Sequence, residues 1–484
     1  MLSSRAFRFW CLFFFLAVPA LAQDAVSISK CQPLRIYRSN AKDDRLGFCV
    51  SGAGDVNADG FPDVLIGAPF HDPGTLPTEL DSGAAYLLFG GKLALLSGAE
   101  IDLATMEDNG IVMVGAVGAQ AGATLAGLGD FNQDGMADFA VGTGRGYQAT
   151  LMFGSSSFPK VFQLNSRSEK SITLLNTGSW VARAGDVNGD GFPDALFGNP
   201  YAELVAQAGK ESYLGKAFLF FGGRAFIQVI DGNSPDNAGP VFVGGVNELY
   251  GRWVGGVGDV NADGFDDFVL TSGMSGTGIG GVSRLFFGSK DGPFPGQPRA
   301  EFTGAGGPAL EIGDLNADGY DDFLLCSRDY RVVLVWGKPD LTGTVNLNGE
   351  IPPAMGTLFV GAITAAGVGD INADGFRDLA FGLPYQPADA LESAGQVVIV
   401  FGSSDWPPVV DLLSPQVRHV MIGGAMASGG FGSALAGVGD IEVDGYADLL
   451  VGAPSDAIDS AGKEVKGGQA YLLSGVKIVR LLSP

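Results

Sequence analysis

The 484-residue chain holds only two histidines, four cysteines and 29 lysines or arginines, against 53 aspartates or glutamates. Each scarcity excludes something. A formal net charge of −24 leaves no basic surface to neutralise a phosphate backbone, so no nucleic-acid partner is expected. His71 and His419 belong to no Ser-His-Asp order, zinc spacing or phosphate loop, so no catalytic residue is assigned and an enzyme is not the first expectation. Beyond the N-terminus no apolar run approaches the ~20 residues needed to cross a bilayer, and no membrane span is expected in the mature chain. Glycine is abundant at 76 residues, roughly twice its usual ~7% share, yet it shows no Gly-X-Y period, which excludes collagen. With 46% apolar residues the chain has a core to bury and is not disordered.

Residues 1–22 read as a secretory signal. Arg5 and Arg8 precede the apolar run Phe9 to Ala17, and Ala20-Leu21-Ala22 offers a small-x-small cleavage site before Gln23. The mature chain, 23–484, is therefore expected to be a single domain that is secreted, periplasmic or otherwise extracellular, with no further domain or membrane helix. Cys11 leaves with the signal. Of the remaining three cysteines, Cys31 and Cys49 are expected either to pair or to stay as thiols, and Cys326 reads as a small buried hydrophobe in Phe323-Leu324-Leu325-Cys326.

What the chain does have is one loop repeated seven times. Asp55-Val56-Asn57-Ala58-Asp59-Gly60-Phe61-Pro62-Asp63 has the form D-x-N-x-D-G-x-x-D and recurs at 130–138, 186–194, 259–267, 314–322, 370–378 and 440–448. A glycine precedes every copy. The loop supplies oxygens at fixed positions. Side-chain oxygens come from position 1 (Asp55, Asp130, Asp186, Asp259, Asp314, Asp370, Asp440) and position 3 (Asn57, Asn132, Asn188, Asn261, Asn316, Asn372, Glu442). More come from position 5 (Asp59, Asp134, Asp190, Asp263, Asp318, Asp374, Asp444) and position 9 (Asp63, Asp138, Asp194, Asp267, Asp322, Asp378, Asp448). Position 7 needs only its backbone carbonyl, so Phe61, Met136, Phe192, Phe265, Tyr320, Phe376 and Tyr446 are free to be apolar. A hard cation such as Ca²⁺ takes six to eight such oxygens, and up to seven ions are expected. The helical EF-hand would need Glu at position 12, where the first loop has Ile66. The other reading of these side chains is that they only shape Asx turns.

The flanks are strands. Runs without alternation follow each last Asp, as in Val64-Leu65-Ile66 and Leu449-Leu450-Val451, which suits strands covered on both faces. A second apolar strand closed by glycine follows, as in Ala85-Tyr86-Leu87-Leu88-Phe89-Gly90, and then an outer strand such as Val112-Met113-Val114. Loop starts lie 55 to 75 residues apart, room for one four-stranded sheet per copy.

With Phe431-Gly432 and Gly452-Ala453-Pro454 flanking the seventh loop, the chain resembles the FG-GAP repeat family, the seven-bladed β-propeller at the N-terminus of integrin α chains. The resemblance covers about residues 30–475. Thr271-Ser272-Gly273 and Cys326-Ser327-Arg328 depart from the GAP triplet, and Leu46-Gly47 and Tyr250-Gly251 from FG. The implied fold is all-β, with seven four-stranded blades closed by the N-terminal strand around Leu34-Arg35-Ile36-Tyr37. The implied function is a binding or adhesion module for a protein or glycan ligand. Candidate contacts lie on the face opposite the cation loops: His71, Tyr201, Tyr250, Arg252, Trp253, Tyr385 and Asp456. Long loops at 69–83, 199–215, 383–395 and 454–468 share that face. Trp180 and Trp253, each six residues before a loop, read first as blade-to-blade packing and second as a sugar platform. FG-GAP repeats also accompany phospholipase D activity on glycosylphosphatidylinositol and some polysaccharide-degrading enzymes, which implies an enzymatic alternative.

Overall fold

The computed structural model describes residues 26–31, 33–39, 43–72, 81–93, 99–103, 106, 109–207, 210–224, 228–234, 239–273, 281–290, 298–327, 329–388, 391–455, 457–459 and 464–481. The expected signal segment and Asp456 lie outside the described residues.

Seven main sheets follow one another along the chain, each built as an antiparallel four-stranded blade. The first blade runs Val50–Gly54, Asp63–Ala68, Ala84–Leu88 and Gly110–Val114 from the inside outwards. The second strands explain the missing alternation. Val64 and Ile66 join an apolar cluster shared with the last blade, whereas Leu65 joins one shared with the second. Both faces of a blade are core, so every residue of such a strand is buried, and each large apolar side chain contributes about 1.5–3 kcal/mol.

The inner strands form a closed ring. Gly52 stands beside Gly437 of the last blade, Gly127 beside Gly52, Gly256 beside Arg183, Gly255 beside Ala309, Gly367 beside Ile312 and Gly437 beside Gly367, all so tightly that an added Cβ would press on the neighbour. Between the second and third blades Thr124 Oγ1 donates to the Ser179 carbonyl. Glycine therefore sets how closely seven strands approach the axis.

Closure uses the N-terminus, as expected, but with two strands. Arg35–Arg38 pairs antiparallel with Gln469–Leu473 as the outer strand of the last blade. Val26–Ser27 pairs parallel with His419–Gly423, the outer strand of the sixth. The same parallel clasp recurs elsewhere. In five more blades the segment leading to the outer strand first lies along the preceding blade: Ala99–Asp102 on Arg35–Arg38, Val161–Gln163 on Gly110–Val114, Val229–Asp231 on Ser171–Leu175, Gly343–Asn346 on Ala300–Thr303, and Val409–Asp411 on Gly356–Val360. Two of the long connections carry their own pairing. Leu204–Gln207 and Lys210–Tyr213 form a hairpin, and Met426–Ala427, Ala457–Asp459 and Glu464–Val465 form a three-stranded flap.

Candidate metal centres and the opposite mouth

Each repeated loop joins the inner strand to the second strand, so all seven lie at the same end of the ring. Position 2 (Val56, Phe131, Val187, Val260, Leu315, Ile371, Ile441) is buried between blades and anchors the loop. Position 4 takes a left-handed conformation in every copy, with φ between 54° and 69°. Position 6 does so with φ between 88° and 92°, where only glycine is unstrained.

The loop side chains fold onto their own backbone. The position-1 carboxylate accepts the N–H groups of position 5 at 2.9–3.1 Å and of position 6 at 2.7–2.9 Å in all seven loops. The position-5 carboxylate accepts the position-7 N–H. In six loops the position-3 Asn oxygen also accepts the position-5 N–H. These are Asx turns. Among the described residues no three carboxylate, imidazole or thiolate groups are drawn tightly enough together to hold an ion in this arrangement.

Position 9 differs in kind. Its carboxylate has no exposed surface in any of the seven blades. One oxygen accepts the position-2 N–H at 2.8–3.0 Å, and the other accepts, at 2.7–3.0 Å, the N–H of the glycine that ends the third strand (Gly90, Gly154, Gly222, Gly288, Gly337, Gly402, Gly475). This aspartate staples three strands of a blade together. Burial pushes each of these carboxyls up, to about 8 for Asp267 and about 7 for the others; the two N–H donors oppose the rise, and the neighbouring loop carboxylates add to it. A buried carboxylate repelled by two more, on a loop carrying five oxygen donors, matches the chemistry of a hard-cation site.

Adjacent loops also touch. Position 8 of one blade lies against the glycine before the preceding loop, as Asp266 does at Gly185 and Asp321 at Gly258. The Asp186 and Asp259 N–H groups donate to these carboxylates at 2.7 and 3.0 Å.

At the other end of the axis, where the inner strands begin, a cavity of about 1260 Å³ opens. Three candidate contacts converge there: Arg252, Trp253 and Tyr385, the last 70% exposed. Trp180 packs on Trp253 across blades three and four with ring centroids 4.0 Å apart, and both rings line the cavity. Exposed Phe48 and Tyr330 complete its aromatic wall.

The other candidates fall elsewhere. Tyr201 is exposed in a cluster with Tyr147 and Tyr213, at 5.8 and 5.6 Å. His71 turns its Nδ1 to the buried Asp44 carboxylate at 3.0 Å. Tyr250 is only 3% exposed and packs in the core between blades three and four, so it offers no ligand surface. Strand periodicity without the bulge between Tyr250 and Trp253 cannot reveal this inward turn. Cys31 and Cys49 are not brought together. Both are free thiols, Cys31 in the core between blades six and seven and Cys49 against that between one and two, because the first clasp strand carries Cys31 to the sixth blade.

Seven blades with an aspartate-rich loop on each, all at one end of the ring, define a β-propeller. The FG-GAP repeat model matches residues 50–88, and the FG-GAP-like repeat model matches 130–197 and 259–325. The chain is an FG-GAP repeat protein related to integrin α chains and to phosphatidylinositol-glycan-specific phospholipase D. The bovine (Bos taurus) phospholipase D is 36% identical over 173 residues, 33% of this chain and 19% of that protein. The human (Homo sapiens) one is 32% identical over 204 residues, 39% of this chain and 22% of that protein. Integrin alpha-3 of Cricetulus griseus is 32% identical over 166 residues, 31% of this chain and 14% of that protein. The matches thus span about a fifth or less of these relatives. Among the described residues no helix is long and apolar enough to cross a membrane.

Proposed function

We propose that this protein is an exported, calcium-stabilised propeller that binds a protein or glycan ligand at the mouth opposite its cation loops. The observation that carries the reading is the convergence of Arg252, Trp253, Trp180 and Tyr385 on one large cavity, at the end of the ring that the carboxylate loops leave free. Aromatic faces with an adjoining guanidinium suit sugar rings and peptide side chains alike. Calcium would be held by positions 1, 3, 5, 7 and 9 of each loop, where it would relieve the repulsion among the carboxylates. Its place is structural, because the loops are separated from the mouth by the length of the inner strands. The similarity to integrin alpha-3 supports a binding role outside the cell.

The similarity to phosphatidylinositol-glycan-specific phospholipase D favours a second reading, a propeller that serves an enzymatic activity. One experiment separates the two. Calcium-loaded mature protein is applied to glycan and extracellular-protein arrays beside its Trp253→Ala and Tyr385→Ala variants. A ligand held by the wild type and lost from both variants, with calcium-dependent melting unchanged, is expected. A ligand retained by both variants would overturn the mouth as the binding site, and hydrolysis of a glycosylphosphatidylinositol by the wild type would turn the conclusion to the enzyme.

A further inference from the structure

The charge around the mouth runs against that of the chain. Acidic residues outnumber basic ones by 53 to 29 in the whole sequence. Among the described residues that line the cavity the order is reversed: Arg45 and Arg252 stand against a single carboxylate, Asp43. The loop aspartates do not undo this, because they lie beyond the inner strands. Even the five residues Val50–Gly54 span about 17 Å at ~3.3 Å each, about twice the ~8 Å over which salt screens exposed charges. The mouth is thus locally positive on an acidic protein.

Both arginines are held in place. Arg45 leads into the first blade, and Arg252 lies on the inner strand of the fourth, Tyr250–Gly258, three blades further round a ring of seven and so nearly across the axis. The Arg45 guanidinium stacks over the Phe70 ring at 4.6 Å, and Phe48 packs edge-on against the same ring with centroids 6.5 Å apart. The neighbouring Asp44 carboxylate is buried; it accepts the Ser39 hydroxyl and meets His71 Nδ1 at 3.0 Å, which pins the turn that carries Arg45. The Arg252 stem lies over Gly273, where an added Cβ would meet it. Five non-glycine residues of the lining, Asp43, Arg45, Tyr330, Ser393 and Ser428, hold left-handed backbone at φ between 49° and 66°. Strain of this kind persists where the surrounding structure imposes it, and it gathers at ligand sites.

Between the arginines the wall offers flat rings and hydroxyls: the Trp180–Trp253 pair, Tyr385, and the exposed Ser428 and Ser455. Aromatic faces stack on the apolar faces of sugar rings, and serine hydroxyls both donate to and accept from sugar hydroxyls. At about 1260 Å³ the cavity exceeds the ~300–1,000 Å³ of a single small-molecule site, which suits a short oligomer. A guanidinium is a planar fork that matches a carboxylate. Two such forks set far apart suit a chain with one negative charge per unit, whereas a dense polyanion would call for a cluster.

We propose that the ligand of the mouth is an acidic oligosaccharide built of uronic acid units, its carboxylates held by Arg252 and Arg45 and its sugar faces by Trp253 and Tyr385. The inference rests on the reading of the mouth as the ligand site. The test is isothermal titration calorimetry of the calcium-loaded mature chain with trimers of galacturonic and of mannuronic acid, with the uncharged methyl esters of the same trimers, and with triglutamate. At least one acid trimer is expected to bind, and its methyl ester to bind at least tenfold more weakly. Arg252→Gln and Arg45→Gln should each lose tenfold or more in affinity while melting in calcium as the wild type does. No binding of either acid trimer, an ester as tight as its acid, triglutamate tighter than both trimers, or affinity unchanged in both arginine variants would overturn the proposal. Should a variant fail to fold, the comparison of acid with ester still decides on the wild type. A neutral glycan held by the wild type and lost from Trp253→Ala, with neither acid trimer bound, would refute the acidic class and leave the mouth as the ligand site. Acid trimers bound undiminished by Trp253→Ala, Tyr385→Ala and both arginine variants would refute the mouth itself.

Discussion

Replacing Asp63 separates the staple from the metal ligand, because the two roles of the loop fall on different residues. Asp63→Ala removes the acceptor of two buried N–H groups, Val56 and Gly90, each 2.9 Å from a carboxylate oxygen. An orphaned buried donor costs about 1–3 kcal/mol, so losing both costs about 2–6 kcal/mol beyond any lost ion. Asp59→Ala removes an equally charged loop carboxylate whose two bonds, accepted from Phe61 N–H and Asn57 Nδ2 at 3.1 Å each, are exposed and add little. In calcium at 100 times its dissociation constant, either variant loses about 2.7 kcal/mol of ion binding, so the difference between them reads the staple alone. Hydrogen exchange followed by mass spectrometry is the assay. Protection of the Val56 and Gly90 amides should fall about thirty-fold or more in Asp63→Ala relative to Asp59→Ala, since about 2 kcal/mol exceeds a tenfold change. Equal protection in the two variants would refute the staple and leave position 9 as a metal ligand only.

Two further outcomes are expected. Deleting residues 23–40 removes the clasp and outer strand of the closing blade, and with them Ile28 and Leu34, whose burial alone contributes about 3–6 kcal/mol; calorimetry should show the whole ring melting earlier, and an unchanged profile would refute two-strand closure. Arg284 bonds Glu248 at 2.9 Å and Glu301 at 2.8 Å, and although burial opposes ionisation of Glu248, the Arg284 and Gly245 hydrogen bonds hold its carboxyl below the usual range. A lowered carboxyl stabilises the fold above its ordinary pKa and loses that stabilisation as pH falls through the folded value, so Arg284→Met should cost most at neutral pH and progressively less as acid protonates Glu248; a pH-independent loss of melting temperature would contradict this.

The sequence made the blade count, the loop positions and the closing strand legible, because these depend on local patterns: an Asp-rich turn, an apolar run covered on both faces, and an unmatched strand at each end. It hid what depends on neighbours. The staple joins Asp63 to Gly90 across 27 residues, and the glycine alone reads as a strand end. Clasp strands such as Val229–Asp231 are three residues long, too short for periodicity to register. Tyr250 was legible as an aromatic near the mouth but not as a core residue, since a bulge reverses its direction. Arg35 read as part of a closing strand. That it is buried depends on its pairing opposite Leu472, near the other end of the chain.

The order of strands in the closing blade has a wider consequence. Val26–Ser27 and then Arg35–Arg38 repeat, in the same sequence, the clasp and outer strand that five of the other connections supply. The ring is therefore a circle nicked at one of several equivalent points. Opening it between Leu88 and Ala99 while tethering the described ends would leave every ladder intact, so the architecture itself has no first blade.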